Sequence, residues 1–462
     1  MNINLDSIIF KETTSIKNVL NRFNISAVNT SGKGFGMVVD KKGTCIGTIS
    51  DGDIRRALSK NKINASIKGI YNKKFSYITE TASTNRVLRF FENAIKQNNR
   101  YLIFPVLNKK KKIIDIINYD DFLREKNSPN TVKVKVPIRI SFSGGGTDFS
   151  DYINKNKAYI LSSTIDKSVF IAAQKIKKKK IFVENHPNNK NYVIELKKLS
   201  KKKRDLIENI IFYLKPQFGF KMIIKSDVEP GTGLGGSSAL TLAILTCIKR
   251  LQNERIDDHY NLINSAYKLE RLVSKIKGGW QDYYSCYMGG FNWIEMDKNN
   301  NLVSAIKLTK KTILDLESNM LLFRFGKKRD SNSIQQKNIN FTNKNKKKIS
   351  KYYKYFKENS LKMKKALILN KLDDFSKLLD ESWFLKTKVT PYSTNLKIKK
   401  IYNNLKLKGM IGGKILGAGS TGYLLVYSNI QNHLKIKNFL ERMKFIHTPF
   451  NFTSSGLEVW EA

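Results

Sequence analysis

The residues best suited to chemistry lie between 229 and 239, where Glu229-Pro230-Gly231-Thr232-Gly233-Leu234-Gly235-Gly236-Ser237-Ser238-Ala239 runs into an apolar stretch over 240–248. Phosphate groups need several N–H donors at short range. Glycines let the backbone approach them unobstructed, and the helix predicted over 238–252 adds the positive end of its dipole. No lysine follows the last glycine, so the segment is not a Walker loop. It also lacks the strand, Gly-x-Gly-x-x-Gly and helix order of a dinucleotide fingerprint. By itself it is equally a tight turn. Two further segments raise it above that: Val136-Pro137-Ile138-Arg139-Ile140-Ser141-Phe142-Ser143-Gly144-Gly145-Gly146-Thr147-Asp148-Phe149 upstream, and Gly412-Gly413-Lys414-Ile415-Leu416-Gly417-Ala418-Gly419-Ser420-Thr421-Gly422-Tyr423 downstream.

In this order the three segments resemble the motifs of the GHMP kinase superfamily, whose ATP loop reads Pro-x-x-x-Gly-Leu-Gly-x-Ser-Ser-Ala; here one more glycine stands between Gly235 and Ser237. The resemblance covers about two-thirds of the chain, from Val132 onward. Arg139 to Asp148, with Gly279-Trp280-Gln281-Asp282-Tyr283 and Gly289-Gly290-Phe291-Asn292, looks like the D-glycero-D-manno-heptose 7-phosphate kinases within it. The resemblance implies an ATP-dependent sugar kinase that phosphorylates the anomeric hydroxyl of heptose 7-phosphate, giving the 1,7-bisphosphate for nucleotide-activated heptose and surface glycan synthesis. It also implies ATP on Pro230, Gly231, Gly233, Leu234, Gly235, Gly236, Ser237 and Ser238.

Phosphoryl transfer depends on positioning and charge neutralisation, so the site needs a cation, a ligand for it and a group that takes the hydroxyl proton. Glu270 resembles the family's Mg²⁺-binding glutamate, and a loop serine partners it. Counting forward from Gly233 selects Ser237 for that place, whereas counting back from Ala239 selects Ser238; Ser237 is preferred. Asp282 matches the family's catalytic aspartate, and Arg139 would support transition-state charge or the acceptor's phosphate. Asp148, with Gly145, Gly146, Thr147, Gly417 and Gly419, would meet the sugar, and Lys327, Lys328 and Arg329 are candidate holders of an anionic acceptor. Relatives often have a purer glycine run where Ser420 and Thr421 stand, which would leave two hydroxyls beside the substrate. The plainer readings are a surface helix for Glu270 and an exposed strand residue for Arg139.

The elements that must position these residues are α+β in class. The alternation of Val132, Val134, Val136, Ile138, Ile140 and Phe142 predicts a half-buried strand ending at Gly144. A short strand over 220–224, the helix over 238–252, helices from about 349 and a final β segment over 415–427 follow. Ahead of them, 38–54 matches 106–122 at a constant offset of 68 (114 − 46), each copy reading strand, turn, strand, helix. This resembles a tandem CBS pair built of β-α-β type repeats, in which Ser50 and Asp53 would hold an adenine nucleotide. Capping of a helix alone would select the same two residues. The second copy has Asp115, Asn118 and Asp121 at the matching places, so one nucleotide site is supported. The polar stretch 124–131 is the linker, and the expected domains are a CBS pair at 1–127, an ATP-binding lobe at 131–310 and a C-terminal lobe at 311–462.

Composition narrows the remaining classes. Three cysteines without a Cys-x-x-Cys pair and four scattered histidines give neither a disulfide framework nor a zinc cage. No apolar run approaches the ~20 residues of a membrane span, and the N-terminus lacks the features of a secretory signal, so a cytoplasmic protein without a membrane is expected. The net charge of +46 is spread along the chain with lysines interleaved among Asn and Ile, and the dense runs lack stacking aromatics, which argues against nucleic acid as partner. CBS modules commonly pair with one another, so a homodimer is a further expectation. The competing readings are a kinase for an unphosphorylated sugar such as fucose or another hexose, and a sensor that keeps the fold without catalysis.

Overall fold

A computed structural model describes residues 5–26, 34–59, 65–96, 102–119, 122, 129–195, 204–229, 231–256, 258–326 and 331–462. Pro230, Asp121, the basic run Lys327, Lys328 and Arg329, and 123–128 of the linker lie outside the described residues. The chain divides into two compact units, Met1–Ser128 and Pro129–Ala462.

The first unit repeats one topology. Strands Ile9–Lys11, Phe35–Val39 and Cys45–Ser50 form one three-stranded sheet with a parallel and then an antiparallel pair, and helix Ile16–Ser26 joins the first two. Strands Ile78–Thr79, Ile103–Leu107 and Ile113–Asn118 form the second in the same way, with helix Thr84–Lys96 between the first two. The last two strands of each copy start 68 residues apart (103 − 35 and 113 − 45). Their turns are also alike: the Asp40 carboxylate accepts the Lys42 and Thr44 N–H groups, as the Asn108 carbonyl oxygen accepts those of Lys110 and Lys112. Phe35, Met37 and Cys45 of one sheet share a buried cluster with Ile103, Leu107 and Ile116 of the other, so each copy covers the other's apolar face.

The second unit is built on an eight-stranded sheet. Its long strands Thr131–Ser143 and Ala158–Ile176 pair antiparallel, with irregularities between Pro137 and Arg139 and between Ser141 and Ser143. A four-stranded antiparallel sheet in the order Met410–Ile415, Gly422–Ser428, Met320–Phe325, Ile446–His447 forms the other half. The β segment expected over 415–427 is thus two strands joined by a glycine turn. One apolar cluster runs through both halves, from Val132 to Leu416 and Tyr427.

The alternating strand shows why sequence patterning stops short of the site. All six expected core residues are buried, yet the opposite face is exposed only at Lys133 and Lys135. Arg139, Ser141 and Ser143 are buried as well. The glycine segment covers that face, with Arg139 N–H bonded to Leu234 O at 3.0 Å, as does the helix Lys346–Ile368, where Ser143 Oγ meets Ser360 Oγ at 2.8 Å. The helix Gly236–Leu251 packs behind and is buried nearly all round, which its apolar sequence permits.

The two glycine segments touch. Gly233 (φ +88) and Gly417 (φ +64) lie so close that a Cβ on Gly417 would stand 2.1 Å from Gly233 Cα. Both the left-handed backbone and the contact exclude a side chain. Replacing Gly417 with alanine is therefore expected to cost about 1–3 kcal/mol through strain and forced separation of the two segments, measured as a lowered denaturant midpoint with unchanged slope.

Candidate active site

One pocket of the second unit collects most of the singled-out residues. The turn at Gly145, Gly146 and Asp148, the glycine segment at Gly231, Gly233, Gly235, Gly236 and Ser237, the stretch from Arg271 to Asp282, and the turn at Gly417 and Ala418 all line it. Gly235 (φ +78) precedes the helix Gly236–Leu251 without any side-chain cap. The first turn of that helix therefore presents backbone N–H groups and its positive end on the pocket side, as a phosphate requires.

Arg139 holds the middle of this site. Its guanidinium donates from Nε and Nη2 to Asp282 Oδ1 at 2.9 and 2.5 Å, and from Nη1 to Gly233 O at 2.8 Å. Arg139 is 4% exposed while Asp282 keeps 17% of its side chain open. Asp282 Oδ2 accepts no hydrogen bond from the described residues and remains the available oxygen of the pair. Asp282 sits in the first turn of the helix Gln281–Met288.

Asp148 is buried, and its carboxylate accepts the N–H groups of Gly146 and Gln281, both at 3.1 Å. Burial, followed by the Asp282 charge, raises its pKa above the ordinary carboxylate value. Thr147 turns inward, its hydroxyl donating to Gly144 O at 2.7 Å, and is absent from the pocket wall. Gly419 is likewise off the wall, packed against Ser393. Ser420 Oγ donates to Tyr392 O at 2.7 Å and Thr421 packs on Gly326, so neither hydroxyl faces the pocket as their place in the glycine run suggests.

The two serines separate. Ser237 lines the pocket, whereas Ser238 is fully buried and its oxygen accepts from Arg271 Nη2 at 3.0 Å. Glu270 is fully buried in a π-helical turn, Lys268–Val273, a feature concentrated at functional sites. Its Oε1 is paired with Arg271 at 3.0 Å, and its Oε2 accepts from Tyr283 at 2.6 Å and Thr241 at 3.3 Å. Glu270 thus stands behind Arg271 and off the pocket wall. Ser237 fits as an oxygen donor to a phosphate-bound Mg²⁺, which needs only one or two protein oxygens. Glu270 does not fit while Arg271 and Tyr283 occupy its carboxylate.

In the first unit, Ser50 and Asp53 form a reciprocal capping box on the helix Asp51–Leu58. Asp53 Oδ2 accepts the Ser50 N–H at 2.8 Å and Oγ–H at 2.7 Å, and Oδ1 pairs with Arg56.

A sequence profile of the GHMP kinases N terminal domain matches residues 191–290, and one of the CBS domain matches residues 3–60. The D-glycero-alpha-D-manno-heptose 7-phosphate kinase of Campylobacter jejuni is 26% identical over 340 residues, spanning 71% of this chain and 99% of that one. Residues 191–290, which include the glycine segment, Glu270 and Asp282, thus match the GHMP kinases N terminal domain. The bifunctional fucokinase/GDP-fucose pyrophosphorylase of Arabidopsis thaliana is 22% identical over 335 residues, 68% of this chain and 31% of that protein. The crystal structure of a D-glycero-D-manno-heptose 1-phosphate kinase from Bacteriodes thetaiotaomicron has the same fold, with a TM-score of 0.59 at 22% identity over 72% of this chain and 99% of the other.

Several residues of the pocket escape sequence reasoning. Ser141 and Gln281 flank Gly145, and Ser141 Oγ and Gln281 Oε1 are buried with no partner among the described residues. Lys386 and Lys414 also line the wall. Lys414 lies inside the 412–423 motif but has no role read for it there, and Lys386 is one of 84 basic residues and carries no mark. With Arg139, Arg271 and Lys277, five cations face two carboxylates, Asp148 and Asp282, so the pocket is positive.

Burial, with Arg139 adding to it, lowers the Lys386 pKa from 10.5 to about 8. Between those values the unfolded chain holds a proton that the folded chain has released, so stability rises with pH from about 8 to about 10.5. Unfolding titrations across that window should show the rise, and Lys386→Met should flatten it.

Proposed function

We propose that this protein is a GHMP kinase that transfers the γ-phosphoryl group of ATP to the anomeric hydroxyl of a sugar, with D-glycero-D-manno-heptose 7-phosphate as acceptor and the 1,7-bisphosphate as product. This would supply nucleotide-activated heptose for surface glycans. The observation that carries the reading is Asp282, held through Oδ1 by Arg139 beside the glycine segment while Oδ2 stays open. The likeness to the Campylobacter jejuni heptose 7-phosphate kinase over nearly all of that protein supports the acceptor, as does a pocket whose cations outnumber its carboxylates.

The domains act as a regulatory CBS pair at 1–127, an ATP-binding lobe at 131–310 and a C-terminal lobe at 311–462. The segment from Pro230 to Ser238 holds the ATP phosphates, with the N–H groups ahead of and within the first helical turn facing them. Mg²⁺ would neutralise phosphate charge here; Ser237 and Glu270 are the residues that would hold it, Ser237 from the pocket wall and Glu270 from behind its bonds to Arg271 and Tyr283. Gly145, Gly146, Asp148 and Gly417 line the sugar subsite with Thr147 and Gly419 supporting it from behind the wall, and Asp148, Ser141 and Gln281 offer hydrogen bonds to hydroxyls. Asp282 Oδ2 takes the proton of the anomeric hydroxyl as that oxygen bonds to the γ-phosphorus and ADP departs. Arg139 keeps Asp282 oriented and adds positive charge where the transferring group gathers negative charge.

With ATP, Mg²⁺ and heptose 7-phosphate, Asp282→Asn is expected to lose at least ~100-fold in kcat while the KM for ATP stays near that of the parent; an unchanged rate would remove Asp282 from the mechanism. A panel of sugars with and without a terminal phosphate, scored by ADP release, separates heptose 7-phosphate from fucose or another hexose.

The first unit binds an adenine nucleotide at Ser50 and Asp53, the protein works in the cytoplasm, and CBS pairs of two chains associate as a homodimer. Calorimetry of the full chain with AMP should give a binding isotherm that Asp282→Asn retains and Ser50→Ala with Asp53→Ala loses. No heat with AMP, ADP or ATP beyond the kinase site would leave the capping box as the sole role of these residues.

A further inference from the structure

Two buried ammonium groups on the pocket wall have no part in the chemistry described so far. Lys386 stands on the helix Leu372–Val389 and Lys414 on the strand Met410–Ile415, 7% and 1% exposed. Lys386 Nζ donates to Ile415 O at 3.4 Å and to Gly417 O. Lys414 Nζ donates to Phe142 O at 2.9 Å and to Ser382 Oγ at 3.3 Å.

The nearby carboxylates are already engaged. Asp282 pairs with Arg139, Glu270 with Arg271, and Asp148 accepts two backbone N–H groups. The lysines are left with carbonyl and hydroxyl oxygens, whose partial charges compensate a buried cation incompletely. Both side chains border open pocket, and Lys386 reaches the turn that touches Gly233 of the phosphate segment. A ligand that completes these two charges would be anionic.

We propose that Lys386, backed by Lys414, forms a subsite for a phosphate dianion beside Gly417. The inference rests on the kinase reading for the origin of that phosphate, which is either the terminal phosphoryl group of the nucleotide or the acceptor's own phosphate ester. The depressed pKa of Lys386 agrees with it, because a buried ammonium without a counterion gives up its proton readily and a bound dianion restores the charge.

The test uses the full chain, Lys386→Met and, should that variant fail to fold, Lys386→Gln, which keeps hydrogen bonding to the carbonyls without the charge. Titrated with inorganic phosphate, the parent should bind and the uncharged variant should bind at least ~10-fold more weakly, the scale of one lost charge-assisted hydrogen bond. The melting temperature without ligand should not fall. Steady-state kinetics then separates the sources. A fall in kcat for every acceptor at unchanged acceptor KM marks the nucleotide's phosphoryl group, whereas a rise of ~10-fold or more in KM confined to phosphorylated sugars marks the acceptor's ester. Equal phosphate binding in parent and variant, or a lowered melting temperature with unaltered kinetics, overturns the proposal and leaves Lys386 as a tie for the glycine turn. If the parent transfers phosphate to no sugar, the kinase reading falls, and the phosphate titration still decides the subsite.

Discussion

The arrangement of the site depends on one buried guanidinium. A charge removed from water is costly unless it is paired and hydrogen-bonded, and all three guanidinium nitrogens of Arg139 donate, to Asp282 on one side and to Gly233 O on the other. The strand that carries Arg139, the helix that carries Asp282 and the backbone of the phosphate segment are thereby held in one geometry. Arginine suits the position better than lysine, since its planar fork reaches two partners in different directions without reorientation. A carboxylate anchored through a single oxygen keeps its direction and leaves the other oxygen for chemistry.

The second constraint is the contact of bare backbones at Gly233 and Gly417. It brings the turn of the four-stranded sheet against the segment that precedes the buried helix, so the pocket draws its walls from residues nearly 300 positions apart. Lys386 and Lys414 enter from the later half and Arg139 and Asp148 from the earlier half. A pocket with more cations than carboxylates is then a product of this closure and not of the overall charge of +46, most of which is scattered over the surface.

The first unit follows a different logic. Each copy has three short strands with one apolar face, too little to stand alone, and the clusters shared between Phe35, Met37 and Cys45 and Ile103, Leu107 and Ile116 supply the missing cover. Ser50 and Asp53 have a complete local explanation as a capping box, and the same oxygens that would meet a nucleotide are the ones bonded to each other and to Arg56.

Much of this was open to reading from the sequence, because it rests on local rules. The 68-residue repeat, the alternating strand from Val132, the glycine segment ahead of an apolar helix and the order of the motifs follow from periodicity, turn chemistry and the steric needs of phosphate. Tertiary packing decided what lies across the pocket. Ser237 faces inward while Ser238 bonds to Arg271, Glu270 retreats behind that arginine in a π-helical turn, and Ser420 and Thr421 turn away toward Tyr392 and Gly326. Lys386 becomes a pocket residue only because its helix packs over Gly417. Neighbours along the chain share a motif, but the direction of each side chain is set by partners that folding brings near, 28 residues away for Ser420, 31 for Lys386 and 33 for Ser238, and no local pattern encodes that choice.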